Sequence, residues 1–194
     1  MPKPISIKGL SNLVLSSKAF QTKARKEAEE KLIKYKAEMI NEFINHPVTQ
    51  EIQAGPSAKN SSGLLGGKGN LFSFIGFEKT QDPILPVIKV LDEKTKLTGK
   101  TRLVEGGTAL DFEVTLPTEQ EIAEASQMPF ESGRSWVWGI QRGISGFSHY
   151  LRHKMLGSSR SGTGAQVKNT LRGSSFKRSS YLSQILRNFI NKLK

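Results

Sequence analysis

The feature that most constrains this chain is a single helical stripe near its start. Phe20, Ala24, Ala28, Leu32, Tyr35, Met39 and Phe43 recur at steps of three and four, and Ile33, Ile40 and Ile44 widen the stripe. The opposite face carries Lys23, Arg25, Lys26, Glu29, Glu30, Lys34 and Glu38. The spacing predicts one long helix over residues 16–45, capped by Ser16 or Ser17. It ends at His46-Pro47, because a residue before proline is pushed out of the helical region. Whatever else the chain forms must pack along this element.

The remaining pattern points to strands and two further helices. Residues 71–77, 84–91 and 100–105 are short apolar or β-branched runs, and Leu110, Phe112, Val114 and Leu116 alternate with polar neighbours. Gly106-Gly107 between the last two is a hairpin-turn signal. Thr118 and Glu121 stand at capping-box spacing and open a short helix. Residues 134–140 read as a tryptophan-bearing strand, and residues 147–156 as a short helix. A closing helix over residues 181–194 carries Leu182, Ile185, Leu186, Phe189, Ile190 and Leu193, with Ser179 or Ser180 as its cap. The expected class is α+β in a single structural domain: a central, mostly antiparallel sheet packed by the long N-terminal helix and the C-terminal helix. Two long Gly/Ser-rich loops, at about 55–70 and 157–180, extend from it.

Charge divides the chain in two. The last acidic residue is Glu131, so residues 132–194 hold twelve Lys or Arg and no carboxylate, while residues 1–131 balance seventeen basic against seventeen acidic groups. The net +12 therefore forms a field with a direction, suited to phosphate or to an acidic protein surface. Arg160, Lys168, Arg172, Lys177 and Arg178, on the second loop, are the residues expected to meet it. The absence of cysteine excludes disulfides, thiolate metal sites and a cysteine nucleophile, and fits synthesis in the cytoplasm. The first residues lack the apolar core of a signal peptide and no run approaches a membrane span, so a soluble protein with no membrane partner is expected.

Each motif that suggests chemistry falls short of it. Gly66-Gly67-Lys68-Gly69 has the glycines and lysine of a phosphate cradle, but a glycine follows the lysine where Ser or Thr is required, with no clear strand before or helix after. His149 and His153 are four apart, without the glutamate of a zinc protease or an acidic residue nearby to complete a metal shell. Gly143-Ile144-Ser145-Gly146 brings its second glycine one place too early for a nucleophile elbow. Glu105, Asp111, Glu113, Glu119, Glu121 and Glu124 occupy the solvated positions of their elements. Neither catalysis, a cofactor nor a metal is expected. Trp136 and Trp138 beside Arg134 and Arg142 could stack bases of a single strand. Their glycine and apolar neighbours favour packing, as core or interface anchors, a role Leu64 and Leu65 are expected to share.

The order of features resembles the small neck, or tail-completion, proteins that join head and tail in tailed bacteriophages. The segments that carry the resemblance begin with the long helix running into Glu42-Phe43-Ile44-Asn45-His46-Pro47-Val48-Thr49 and the run from Leu65 through Gly69-Asn70-Leu71-Phe72 to Phe77. Gly133-Arg134-Ser135-Trp136 leading to Gly143-Ile144-Ser145-Gly146 follows, and then Phe176 with the helix from Tyr181. The resemblance implies a virion subunit that assembles into a ring between head and tail, without catalytic residues or cofactor. Its partners would be copies of itself, a connector or portal-side protein and a tail terminator protein, with sequence-independent contact to genomic DNA. The basic loop at 157–180 departs from the usual small members and leaves the position in the neck open. From the residues alone, the alternative is a basic nucleic-acid-binding protein acting through its C-terminal third.

Overall fold

The computed structural model describes residues 17–66, 69–103, 110–129, 131–142 and 179–194. Helix α1 (Lys18–Asn45) forms as its periodicity demands, with the Ser17 hydroxyl accepting from the Phe20 N–H at 3.3 Å. Only Leu32, Met39 and Phe43 are buried along it, all in its second half. The first half leans instead on ion pairs one turn apart, Arg25–Glu29 at 3.1 Å and Lys26–Glu30 at 4.0 Å, each worth about 0.3–0.5 kcal/mol.

His46 ends α1, but Pro47 at once begins another helix. Proline is preorganised for a first helical position, and the His46 Nδ1 accepts from the Val48 N–H at 3.2 Å, so α2 (Pro47–Gln53) starts there. Glu51 of α2 is buried, and its two carboxylate oxygens accept from the backbone N–H groups of Ser62 and Leu71, both at 2.8 Å. Those bonds stitch the segment after α2 to the core. A 3-10 turn (Gly55–Ser57) opens it, Leu64 and Leu65 are buried, and the Asn70 side chain bridges the Pro56 carbonyl and the Ser73 N–H at 2.8 and 2.9 Å. The glycine-rich stretch is thus anchored rather than a free contact arm.

Two expected strands are helices. Residues 71–77 give α3 (Leu71–Ile75), capped by Asn70 and closed by Gly76 at φ 86°, a left-handed conformation that only glycine adopts freely. With four of its five residues apolar and buried, so short a run has no period that separates helix from strand. Residues 84–91 lie in α4 (Leu85–Lys94), where Asp82 Oδ1 accepts from the N–H groups of Ile84 and Leu85 and Pro86 sits in the first turn. Its buried residues, Val87 and Leu91, are one turn apart.

Of the strand expected over 100–105, residues 100–103 belong to a strand that starts earlier, β1 (Lys96–Leu103), and 104–105 lie outside the described residues. β1 is antiparallel to β2 (Leu110–Thr115) with Lys96 opposite Thr115 and Leu97 opposite Val114. β2 alternates half-buried and exposed residues as its sequence requires. The Gly106-Gly107 turn lies outside the described residues. Helix α5 (Glu119–Ala125) carries the full capping box between Thr118 and Glu121. A Lys94 ammonium 2.6 Å from Glu121, with the Thr118 N–H, holds that carboxyl down to about 2.

β3 (Gln127–Met128) pairs antiparallel with β4 (Glu131–Ser135). The tryptophans are not on a strand: they begin α6 (Trp136–Arg142), started by the Ser135 hydroxyl accepting from the Trp138 N–H at 3.2 Å. The closing helix is α7 (Leu182–Leu193), its stripe burying Leu182, Ile185 and Phe189. Neither Ser179 nor Ser180 caps it; the Gln141 side chain, from α6, accepts from the Ser183 N–H at 2.8 Å and does that work across the fold. α7 runs antiparallel to α1, with Asn188 donating to Glu42 at 2.6 Å and Lys192 to Glu38 at 2.7 Å.

The architecture is mixed α and β, with the long N-terminal and C-terminal helices in place, but the expected central sheet is absent from the described residues. Two separate two-stranded ribbons stand there instead, and helices supply most of the buried cluster that runs from Leu32 to Phe189. The runs at 71–77 and 84–91, two of the strands expected in that sheet, lie in helices, the first capped by Asn70 and the second begun by Asp82 accepting from the backbone.

Replacing Glu51 by Ala leaves two backbone N–H groups without their acceptor. The expected loss is about 2–5 kcal/mol, read from urea unfolding, with Glu51→Gln recovering part of it through its single amide oxygen.

Candidate functional site

The basic stretch is carried by whatever holds its two ends. On the N-terminal side stands α6, on the C-terminal side Tyr181 and α7. Tyr181 is fully buried among aromatic rings: Phe43 stacks on it at 5.6 Å, His46 tilts against it at 4.7 Å, and Trp136 lies 6.3 Å away. The series continues from Trp136 edge-on to Phe77 at 6.1 Å and from Phe77 to Phe72 at 5.5 Å. The Tyr181 hydroxyl shares a short hydrogen bond with the Thr49 hydroxyl, so the phenol is satisfied, and burial pushes its ionisation far above the usual tyrosine range. Gln141 then accepts from both the N–H and the hydroxyl of Ser183. Residues 142 and 179 are thereby tied to one side of one core.

Beside this junction an open groove of about 460 Å³ runs between α5 and α6, with β4 along it. Glu119, Gln120 and Ala123 line it from α5, Arg134 and Ser135 from β4, and Trp138 and Arg142 from α6. The Arg142 guanidinium lies 5.4 Å from the Trp138 ring centre and 3.0 Å from the Glu119 carboxylate, while the Trp138 indole N–H donates to the Glu119 carbonyl at 3.2 Å. Both partners of the Arg142–Glu119 pair are more than half exposed, so the pair itself adds little.

The structure separates the residues that the sequence grouped. Leu64, Leu65 and Trp136 are buried in the chain's own core, and Trp138 is partly buried at the groove. As they stand, the first three offer no surface to a neighbouring molecule. Arg160, Lys168, Arg172, Lys177 and Arg178, the paired histidines His149 and His153, and the short helix expected at 147–156 lie outside the described residues. So do Gly67 and Lys68 of the glycine motif. A helix does follow that motif, contrary to expectation. However, Glu51 already takes the Leu71 N–H and Asn70 the Ser73 N–H, which places a carboxylate where a phosphate would have to bind.

Among the described residues, no three His, Asp or Glu side chains come together as a metal site, and no helix is long and apolar enough to cross a membrane. The pairs Thr49–Tyr181, Gln141–Ser183 and Glu119–Arg142 were invisible to sequence reasoning. Each joins residues far apart in the chain through ordinary polar groups. Comparison with known protein families, with curated proteins and with solved structures finds no match for this chain.

Beside Tyr181, His46 works as a neutral cap. Burial pushes its imidazole below the ordinary value, with Glu42 pulling weakly the other way. The unfolded chain takes up the proton near the ordinary histidine value of about 6.5 while the folded one resists it. Stability is therefore full above about pH 6.5 and declines as the pH falls from there toward the folded-state value. Urea midpoints measured from about pH 7.5 to about pH 5 are expected to drop for the native chain, and to drop less for His46→Asn, which caps without titrating.

Proposed function

We propose that this chain is a non-catalytic structural subunit of the head-to-tail joint of a tailed-phage virion, made in the host cytoplasm and assembled as a ring in the neck. The observation that carries the reading is the junction just described. Gln141–Ser183 and the Tyr181 seat fasten both ends of a 36-residue stretch, 143–178, which contains seven Lys or Arg and no carboxylate. A folded body that holds such a stretch at one place can direct its charge toward one partner.

The partner is genomic DNA passing along the axis, met through phosphates without reading sequence, or an acidic face of the next ring. The resemblance of the motifs around Pro47, Gly69 and Trp136 to neck proteins supports the ring, a connector or portal-side neighbour and a tail terminator. The charge by itself also supports a second reading, a free nucleic-acid-binding protein acting through the same stretch.

Light scattering on a sizing column and a salt titration of DNA binding separate the two. The neck reading expects a defined ring, or a monomer that assembles only on a partner, with weak DNA affinity. A monomer that binds DNA tightly with a steep salt slope overturns it. On either reading, Arg172→Gln, Lys177→Gln and Arg178→Gln together flatten the salt slope by about one for each phosphate contact removed.

A further inference from the structure

The groove between α5 and α6 has a chemistry of its own, separate from the basic stretch. Arg134 and Arg142 line its β4 and α6 sides, and the residues of β4 and α6 that line it include no acidic one. The one carboxylate among the described lining residues is Glu119, and its Oε2 is already 3.0 Å from Arg142. Between the charged groups lie Met128, Ala123 and the Trp138 ring, and Gln120 adds an amide able to donate and accept. The volume, about 460 Å³, is that of a pocket for a small ligand or a few side chains.

We propose that this groove is a docking site for a short acidic peptide segment of a partner protein, in which carboxylate side chains alternate with apolar ones. The guanidinium forks of Arg134 and Arg142 match a planar carboxylate, and the apolar side chains lie against Met128, Ala123 and Trp138. Arg134 and Arg142 both already have partners in the folded chain, so each reaches the ligand by exchange. For Arg142 the pairing exchanged is the exposed one with Glu119, which costs little because that pair is solvated on both sides.

A nucleic-acid strand fits the groove less well. Trp138 is the one aromatic ring among the described lining residues, where a single strand would stack successive bases on several. Met128 and Ala123 also offer apolar contact that a sugar–phosphate backbone does not use. The proposal goes beyond the neck reading and does not depend on it, because the site stands whatever the basic stretch meets.

The test is fluorescence anisotropy of a labelled, end-capped hexapeptide of alternating aspartate and leucine, titrated with the full chain. An asparagine–leucine peptide and a decathymidine oligonucleotide serve as comparisons. Saturable binding of the acidic peptide is expected, weakened about tenfold or more by Arg134→Gln with Arg142→Gln, and weakened as well by Ala123→Phe, which fills the groove without changing charge. The triple substitution Arg172→Gln, Lys177→Gln, Arg178→Gln leaves it unchanged. Circular dichroism melts establish that each variant is folded.

The proposal is overturned by no saturable binding of the acidic peptide, by equal binding of the asparagine peptide, or by loss of binding only with the triple substitution. Tighter binding of the oligonucleotide that is abolished by Ala123→Phe also overturns it, and reassigns the groove to nucleic acid.

Discussion

Tyr181 in its seat is the contact on which the rest of the structure depends. Its ring closes the gap between the α1–α2 corner and α6, and its hydroxyl reaches Thr49, 132 residues earlier in the sequence. A tyrosine suits this place because its body is apolar and its tip is polar, so it can fill an aromatic core and still satisfy a buried hydroxyl. Without that contact α7 would have its stripe, its polar links to α1 and the Gln141–Ser183 bonds to α6 to hold it. A 12-residue helix is too short to persist on propensity alone.

A second constraint acts at Glu51. A buried carboxylate is tolerated when its oxygens accept hydrogen bonds, and here one oxygen has a backbone donor in the glycine-rich stretch, Ser62, and the other has the first residue of α3, Leu71. One side chain thereby sets both the path of the glycine-rich stretch and the start of α3. That path carries Leu64 and Leu65 into the core and leaves the N-terminus of α3 already supplied with acceptors. Local polar chemistry and hydrophobic burial decide the same stretch together.

What was legible in the sequence was periodic or locally capped. The second half of the α1 stripe, the stripe of α7, the alternation of β2 and the Thr118–Glu121 box all appear in the structure, because each signal lies within one element, whereas Phe20 and Ile33 of the expected α1 stripe are exposed. The runs at 71–77, 84–91 and 134–140 misled because short, mostly apolar segments are too brief to separate the helical period from the strand period. Their helices start instead at Asn70, Asp82 and Ser135, polar residues whose side chains accept from the backbone of the first turn. The central sheet failed with them. Charge segregation was plain in the sequence, whereas the groove and the fastening of its neighbouring stretch were not. Those depend on Glu119 meeting Arg142 and Gln141 meeting Ser183, pairings that only the tertiary fold creates.

The fastening at Gln141–Ser183 also sets a spacing that the chain in between does not choose. Residues 142 and 179 flank the 36-residue stretch 143–178 and belong to segments joined through α6, Tyr181 and α7. The body therefore acts as a clasp: the stretch leaves from one end of α6 and returns to the start of α7 at two points that the core has already fixed.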